Sequence, residues 1–153
     1  MSRIADRLAE LGLTLPAVAA PVAAYVPAVV HGNLVYTSGQ LPFVDGALPA
    51  TGKVGASVSA EDAQAYAATS ALNALAAIHE VIGSLDRITQ IVKVTGFVAS
   101  DPSFTGQPGV INGASTLLGD VFGDSGIHAR SAVGVAVLPL DAPVEVELVV
   151  AFA

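Results

Sequence analysis

The closing stretch IHARSAVGVAVLPLDAPVEVELVVAFA, from Ile127 to Ala153, decides how this chain folds. A turn around Leu140, Asp141 and Ala142 divides it into two β-rich runs, ARSAVGVAVLP and PVEVELVVAF. In the second run Val144, Val146, Leu148, Val150 and Phe152 alternate with Glu145, Glu147, Val149 and Ala151. Successive side chains of a strand point to opposite faces, so one face is apolar throughout and the other turns apolar toward the end. Such a strand belongs in a sheet covered by helices on one side and by a partner on the other.

Upstream, VINGASTLLGDVFG (Val110 to Gly123) reads as a helix, SDPSFTGQPG (Ser100 to Gly109) as a loop, and QIVKVTGFVAS as a strand. The clearest helix follows Ser59, an N-cap with Asp62 three residues on. Its Ala67, Ala71, Leu75, Ile78 and Ile82 share one face, and Gly83 stops it. LPATGKVGASV (Leu48 to Val58) reads as an exposed loop with a brief strand. AYVPAVVHGNLVYTSGQLPFVDG reads as a β-hairpin broken at His31, Gly32 and Asn33. At the start, Ile4, Leu8 and Leu11 have helical spacing and Gly12 can cap them, giving a docking helix within an N-terminal extension over residues 1–19. The order β-β-(β)-α-β-α-β-β predicts a single α+β domain over residues 1–153, a mixed sheet with two long helices on one face. No internal repeat or linker divides it.

Composition narrows the function. A net charge of -7 with only six Lys and Arg leaves no basic track for phosphates, so nucleic acid is not the expected partner. The lack of cysteine removes disulfides and thiolate chemistry and is compatible with a reducing compartment. With 53% hydrophobic and 12% charged residues, the chain has more apolar surface than a monomer of this size needs, which predicts an oligomer. The most apolar run, Leu15 to Val30, holds Pro16, Pro21 and Pro27 and is shorter than the ~20 residues of a spanning helix. The N-terminus lacks the pattern of a secretory signal, and a cytoplasmic protein is expected.

No P-loop, G-x-S-x-G, H-E-x-x-H or G-x-G-x-x-G occurs, and His31, His79 and His128 share no metal-ligand spacing. Arg130 opens a strand in apolar surroundings, where a guanidinium needs acceptors. Two readings stand: an intersubunit salt bridge, or a bidentate anchor for a substrate carboxylate. On composition alone Glu145 and Glu147 read first as a polar stripe on a half-exposed sheet, and only second as an acid site. If the closing strands pair as a hairpin, Glu145 lies roughly 16 Å along the sheet from Arg130's partner, at strand rise.

These residues resemble the RidA/YjgF family, reactive intermediate deaminases also labelled endoribonuclease L-PSP. The resemblance runs from about Ala20 to Phe152 and rests on AYVPAVVHGNLVYTSGQLP, IVKVTGFVAS, VINGAS and, most specifically, ARSAVGVAVLPLDAPVEVE. It implies a chorismate-mutase-like homotrimer with a barrel-like centre and clefts between subunits. It further implies that Arg130 anchors the substrate carboxylate, that Tyr25, Ser38, Gly39 and Asn112 line the cleft, and that Glu145 with the backbone carbonyl near Ala132 orients a water. The activity it implies is hydrolysis of 2-enamine and 2-imine acids such as 2-aminoacrylate, with no metal or organic cofactor.

Taken singly, Tyr25 is also an ordinary strand aromatic, Ser38 with Gly39 a bulge, and Asn112 an N-cap. The chain departs from the family pattern at Ala23 and Ala24, where Gly-Pro is usual, and at Ala132, where cysteine is frequent. It also has a longer loop at 100–109 and an added N-terminal helix, so it is most similar to a longer branch of the family. Three readings follow: imine deaminase, non-catalytic binder of small carboxylates, and, with least support, ribonuclease.

Overall fold

A computed structural model describes residues 2–21 and 23–153; Met1 of the N-terminal extension and Val22 of the Leu15–Val30 run lie outside the described residues. Helix α1 spans Arg3–Glu10, its first turn held by Ser2 Oγ, which accepts from Ala5 N–H, and by the Asp86 carboxylate, which accepts from Arg3 and Ile4 N–H. Ile4 and Leu8 are buried, so α1 docks on the core as its spacing predicts. Strands β1 (Ala28–His31) and β2 (Leu34–Thr37) form the hairpin. Gly32, first of its two turn residues, has φ +60°, the place where a type II′ turn wants glycine.

Helix α2 spans Ala60–Ile82, with Ser59 Oγ accepting from Asp62 N–H and Gly83 closing it at φ +82°. Ala67, Ala71, Leu75, Ile78 and Ile82 are all buried, and the small alanines let this face lie close on the sheet. Strand β3 is Ile88–Ala99, α3 is Gln107–Phe122, β4 is Ala129–Val135 and β5 is Val144–Phe152. The sheet order is β1-β2-β5-β3-β4, with β3 and β4 parallel and the other neighbours antiparallel. Both long helices lie on one face, over Val94, Val98, Val144, Val146, Leu148 and Val150, all buried. Gly113 sets how closely α3 approaches α2: a Cβ there would stand 1.9 Å from the Gln64 carbonyl oxygen.

Three expectations are corrected. The two closing strands do not pair: β4 lies beside β3, because the intervening α3 carries the chain back to start a parallel strand, while both edges of β5 are taken by β2 and β3. The brief strand within 48–58 is absent; Val54 makes only isolated bridges, to Val58 and Ser100, as its glycines break any longer ladder. Helix α3 begins at Gln107 rather than Val110, because Pro108 fits the first helical turn, where its missing N–H costs nothing. Among the described residues no helix is long and apolar enough to cross a membrane.

Candidate functional site

Arg130 sits on β4 opposite Val94, a residue buried beneath the helices, so its side chain rises on the helix face at the sheet's edge. There Nη1 donates to Asn112 Oδ1 at 2.8 Å and to Ser115 Oγ at 3.1 Å, and Nη2 donates to the Pro108 carbonyl at 3.2 Å. All three acceptors are neutral and all three belong to α3. Asn112 and Ser115 reach the same group because they stand three residues apart on that helix. A guanidinium has five N–H donors; these bonds engage three and leave Nε–H and one Nη2–H without an acceptor among the described residues. Nε and Nη2 share one edge of the planar group, the fork that matches the two oxygens of a carboxylate.

His128 extends the same network. Its Nδ1 lies 2.6 Å from the Gly126 carbonyl oxygen and its Nε2 lies 2.8 Å from Ser115 Oγ. Ala132, two residues beyond Arg130, is partly buried and packs against the main core beside Gly96.

The second cluster lies on the other face. Glu145 pairs with Phe97, three residues from Val94 on β3, and three residues along a strand is an odd step that reverses the face. A Cβ on Gly39 would come within 1.8 Å of Glu145 Oε1, so glycine at 39 makes room for that carboxylate. Ser38 Oγ donates to the Val26 carbonyl at 2.6 Å, and Ser38 N–H donates to the Pro27 carbonyl at 2.8 Å, tying down the segment that carries Tyr25. Tyr25, 44% exposed, lines a small hollow with Gly39, Gln40 and Leu41. Half-burial pushes the Glu145 carboxyl above the ordinary carboxylate range, and the charge of Glu147 adds to the rise. No ion pair relieves it: among the described residues the ion pairs are Arg7–Glu10 and Lys53–Asp141.

One chain therefore gathers the site residues expected from sequence into two sets. Arg130, Asn112 and Ala132 stand at the β4–α3 edge; Glu145, Gly39, Ser38 and Tyr25 stand at the open face and the β1–β2 end. Asn112 is no N-cap: it lies inside α3, whose N-cap is Gly106. Among the described residues Arg130 makes no salt bridge. Sequence reasoning missed Ser115 and His128, although the spacings were there to use. His128 precedes Arg130 by two, just ahead of β4, and Ser115 follows Asn112 by three, which places the latter pair on one side of α3. Among the described residues no cluster of three or more His, Asp or Glu is arranged to hold a metal ion.

Known proteins share this fold. Residues 5–153 match the family described as "YjgF/chorismate_mutase-like, putative endoribonuclease". Protein TCP17 of Trypanosoma cruzi is 47% identical over 149 residues, covering 97% of this chain and 93% of that protein. The 2-iminobutanoate/2-iminopropanoate deaminase of Escherichia coli K12 is 34% identical over 130 residues, covering 85% of this chain and 88% of the enzyme. The crystal structure of the protein Atu1372 from Agrobacterium tumefaciens superposes with a TM-score of 0.92 at 46% identity, covering 99% of this chain and 93% of that one. With its five-stranded sheet, its two covering helices and a family match over nearly its whole length, the chain belongs to the YjgF/chorismate-mutase-like family.

Proposed function

We propose that this protein hydrolyses small 2-imino and 2-enamino acids to 2-oxo acids and ammonia, in clefts formed between the copies of a homotrimer. The observation that carries the reading is Arg130, held by three neutral oxygens with Nε–H and one Nη2–H left without an acceptor among the described residues. In a chain with a net charge of -7, an arginine so prepared and unneutralised suits a small carboxylate. The 34% identity to an imine deaminase supports the same chemistry.

The reaction asks little of the protein. An enamine first tautomerises to the imine, whose C2 is made electrophilic by the adjacent carboxylate. A water oxygen adds to C2 as one of its protons passes to the imine nitrogen, giving a carbinolamine. The remaining hydroxyl proton then passes to that nitrogen as the C2–N bond breaks and the C2–O double bond forms, and the products are the 2-oxo acid and ammonia. Fixing the carboxylate on Arg130 and one water in line supplies the positioning that dominates such a step. Glu145, its carboxyl raised by burial, suits the transfer of protons to and from that water, with the backbone carbonyl at Ala132 as a second acceptor. Tyr25, Ser38 and Gly39 wall the Glu145 side, and Asn112 holds the arginine.

A single copy keeps Arg130 and Glu145 on opposite faces of its sheet, which favours a site shared between copies. The exposed apolar residues support that assembly: Val133, Val137 and Leu140 at the β4 side, Val26, Val29 and Tyr36 at the β1–β2 side. Sedimentation at a mass three times that of the chain is the expected result. The activity test is ammonia release from 2-aminoacrylate generated in situ: Arg130→Ala should lose it, and equal rates for variant and wild type would refute the assignment.

A second reading, a binder of small carboxylates without turnover, is favoured by Ala132, whose methyl group packs into the core and offers no functional group. Calorimetry with 2-oxo acids beside the ammonia assay separates the two. With six basic residues in the chain, a ribonuclease would have no phosphate track, and that reading is not adopted.

A further inference from the structure

The hydrogen bonds around Arg130 continue beyond the groups that touch it, and with a neutral His128 their direction follows from the Gly126 carbonyl. The Gly126 carbonyl oxygen can only accept, so His128 Nδ1 carries the proton, and in the neutral imidazole Nε2 is then an acceptor. Ser115 Oγ therefore donates its hydrogen to His128 Nε2 and turns its lone pairs toward Arg130 Nη1. The chain runs Arg130 to Ser115 to His128 to Gly126, each donor facing one acceptor.

We infer that Ser115 and His128 are positioning residues for carboxylate binding: His128 fixes the Ser115 hydroxyl, and that hydroxyl, with Asn112, fixes Arg130. This rests on the reading of Arg130 as the anchor. A serine hydroxyl alone turns freely and can point its hydrogen at the guanidinium, donor against donor. Drawn to His128 Nε2, the same hydroxyl presents only lone pairs to Nη1, and hydrogen bonds in such a chain reinforce one another. With both Nη1 protons held, the plane of the guanidinium is set and the Nε and Nη2 edge stays aimed at the ligand, so little ordering is left to do on binding. His128 touches no substrate in this scheme; it acts through Ser115.

The test uses 2-oxobutanoate, a product-like probe, titrated calorimetrically into the wild type, Ser115→Ala, His128→Phe, His128→Gln, the Ser115→Ala/His128→Phe double variant and Arg130→Ala, with deaminase kinetics alongside. Ser115→Ala and His128→Phe should each weaken binding about three- to tenfold, the effect of one lost neutral hydrogen bond. The loss should appear in KM with kcat unchanged, because the interaction is equal in ground and transition states. His128→Gln, whose amide oxygen can accept from Ser115, should restore most of the loss. The double variant should bind no worse than Ser115→Ala, since His128 acts only through that serine. Wild-type affinity in Ser115→Ala and His128→Phe, with or without a fall in thermal stability, would overturn the relay while a non-binding Arg130→Ala kept the anchor. Wild-type affinity in Arg130→Ala would overturn both.

Discussion

At the β4–α3 edge Arg130 is surrounded by oxygens already oriented to receive it, each part of a bonded network and none charged. On the open face Glu145 is half-buried beside the like-charged Glu147, which together push its carboxyl up, and it makes no ion pair among the described residues. On the proposed function, the same sheet finishes one side of a site within the chain and leaves the other unfinished. A cation that has its supports but not its counterion is ready to bind; an acid that lacks both is ready to exchange a proton. The division suits a cleft in which one copy supplies the grip and a second copy the acid.

The comparison breaks first at Arg130. If Arg130 anchors the carboxylate as proposed, Arg130→Ala removes two charge-assisted hydrogen bonds and should cost about a thousandfold in kcat/KM, read by ammonia release. Arg130→Lys keeps the charge but loses the fork, and at least a tenfold loss of 2-oxobutanoate affinity, ~1.4 kcal/mol, is expected.

The opposite side should fail differently. Glu145→Gln should lower kcat about a hundredfold while leaving 2-oxobutanoate affinity close to the wild-type value. It should also raise stability at neutral pH. Because the folded state holds Glu145's carboxyl above its unfolded value, its ionisation opposes folding. The associated stability is fully present below the ordinary carboxylate range and is lost as pH rises through the raised value. Melting temperature measured against pH should show that decline in the wild type and a shallower one in Glu145→Gln.

Helix placement couples to one side only. Gly113→Ala forces a Cβ against the Gln64 carbonyl and should destabilise the fold by about 1–3 kcal/mol. In the surviving folded protein it should weaken carboxylate binding, since α3 carries every acceptor of Arg130. The smallest effect belongs to a carboxylate remote from both regions. Asp86 is held below the ordinary range chiefly by the Ile4 N–H, so its contribution is present above its unfolded value and lost as pH falls through the lowered one. Asp86→Asn should cost about 1 kcal/mol or less and leave kcat/KM unchanged.

Much of this was legible in the sequence wherever the cause is local. Ser59 and Gly83 mark the ends of α2, and the alternation from Val144 to Phe152 fixes which face of β5 is buried. Arg130's strand and its need for acceptors followed from its apolar neighbours. What was illegible is non-local. That β4 pairs with β3 rather than β5 depends on where α3 returns the chain, which no run of residues in β4 states. Gln107-Pro108-Gly109 carries loop composition, which predicts a helix three residues shorter than α3 and puts Asn112 at its end rather than one turn inside. Ser115 and His128 are common surface residues whose partnership appears only when helix and strand meet.

The central claim meets its most direct test in a crystal structure of the protein with 2-oxobutanoate bound. The account predicts the ligand carboxylate on the Nε and Nη2 edge of Arg130, with its carbonyl carbon facing Glu145 of a neighbouring copy. A ligand bound away from that edge, or Glu145 of every copy turned away from it, would contradict the account.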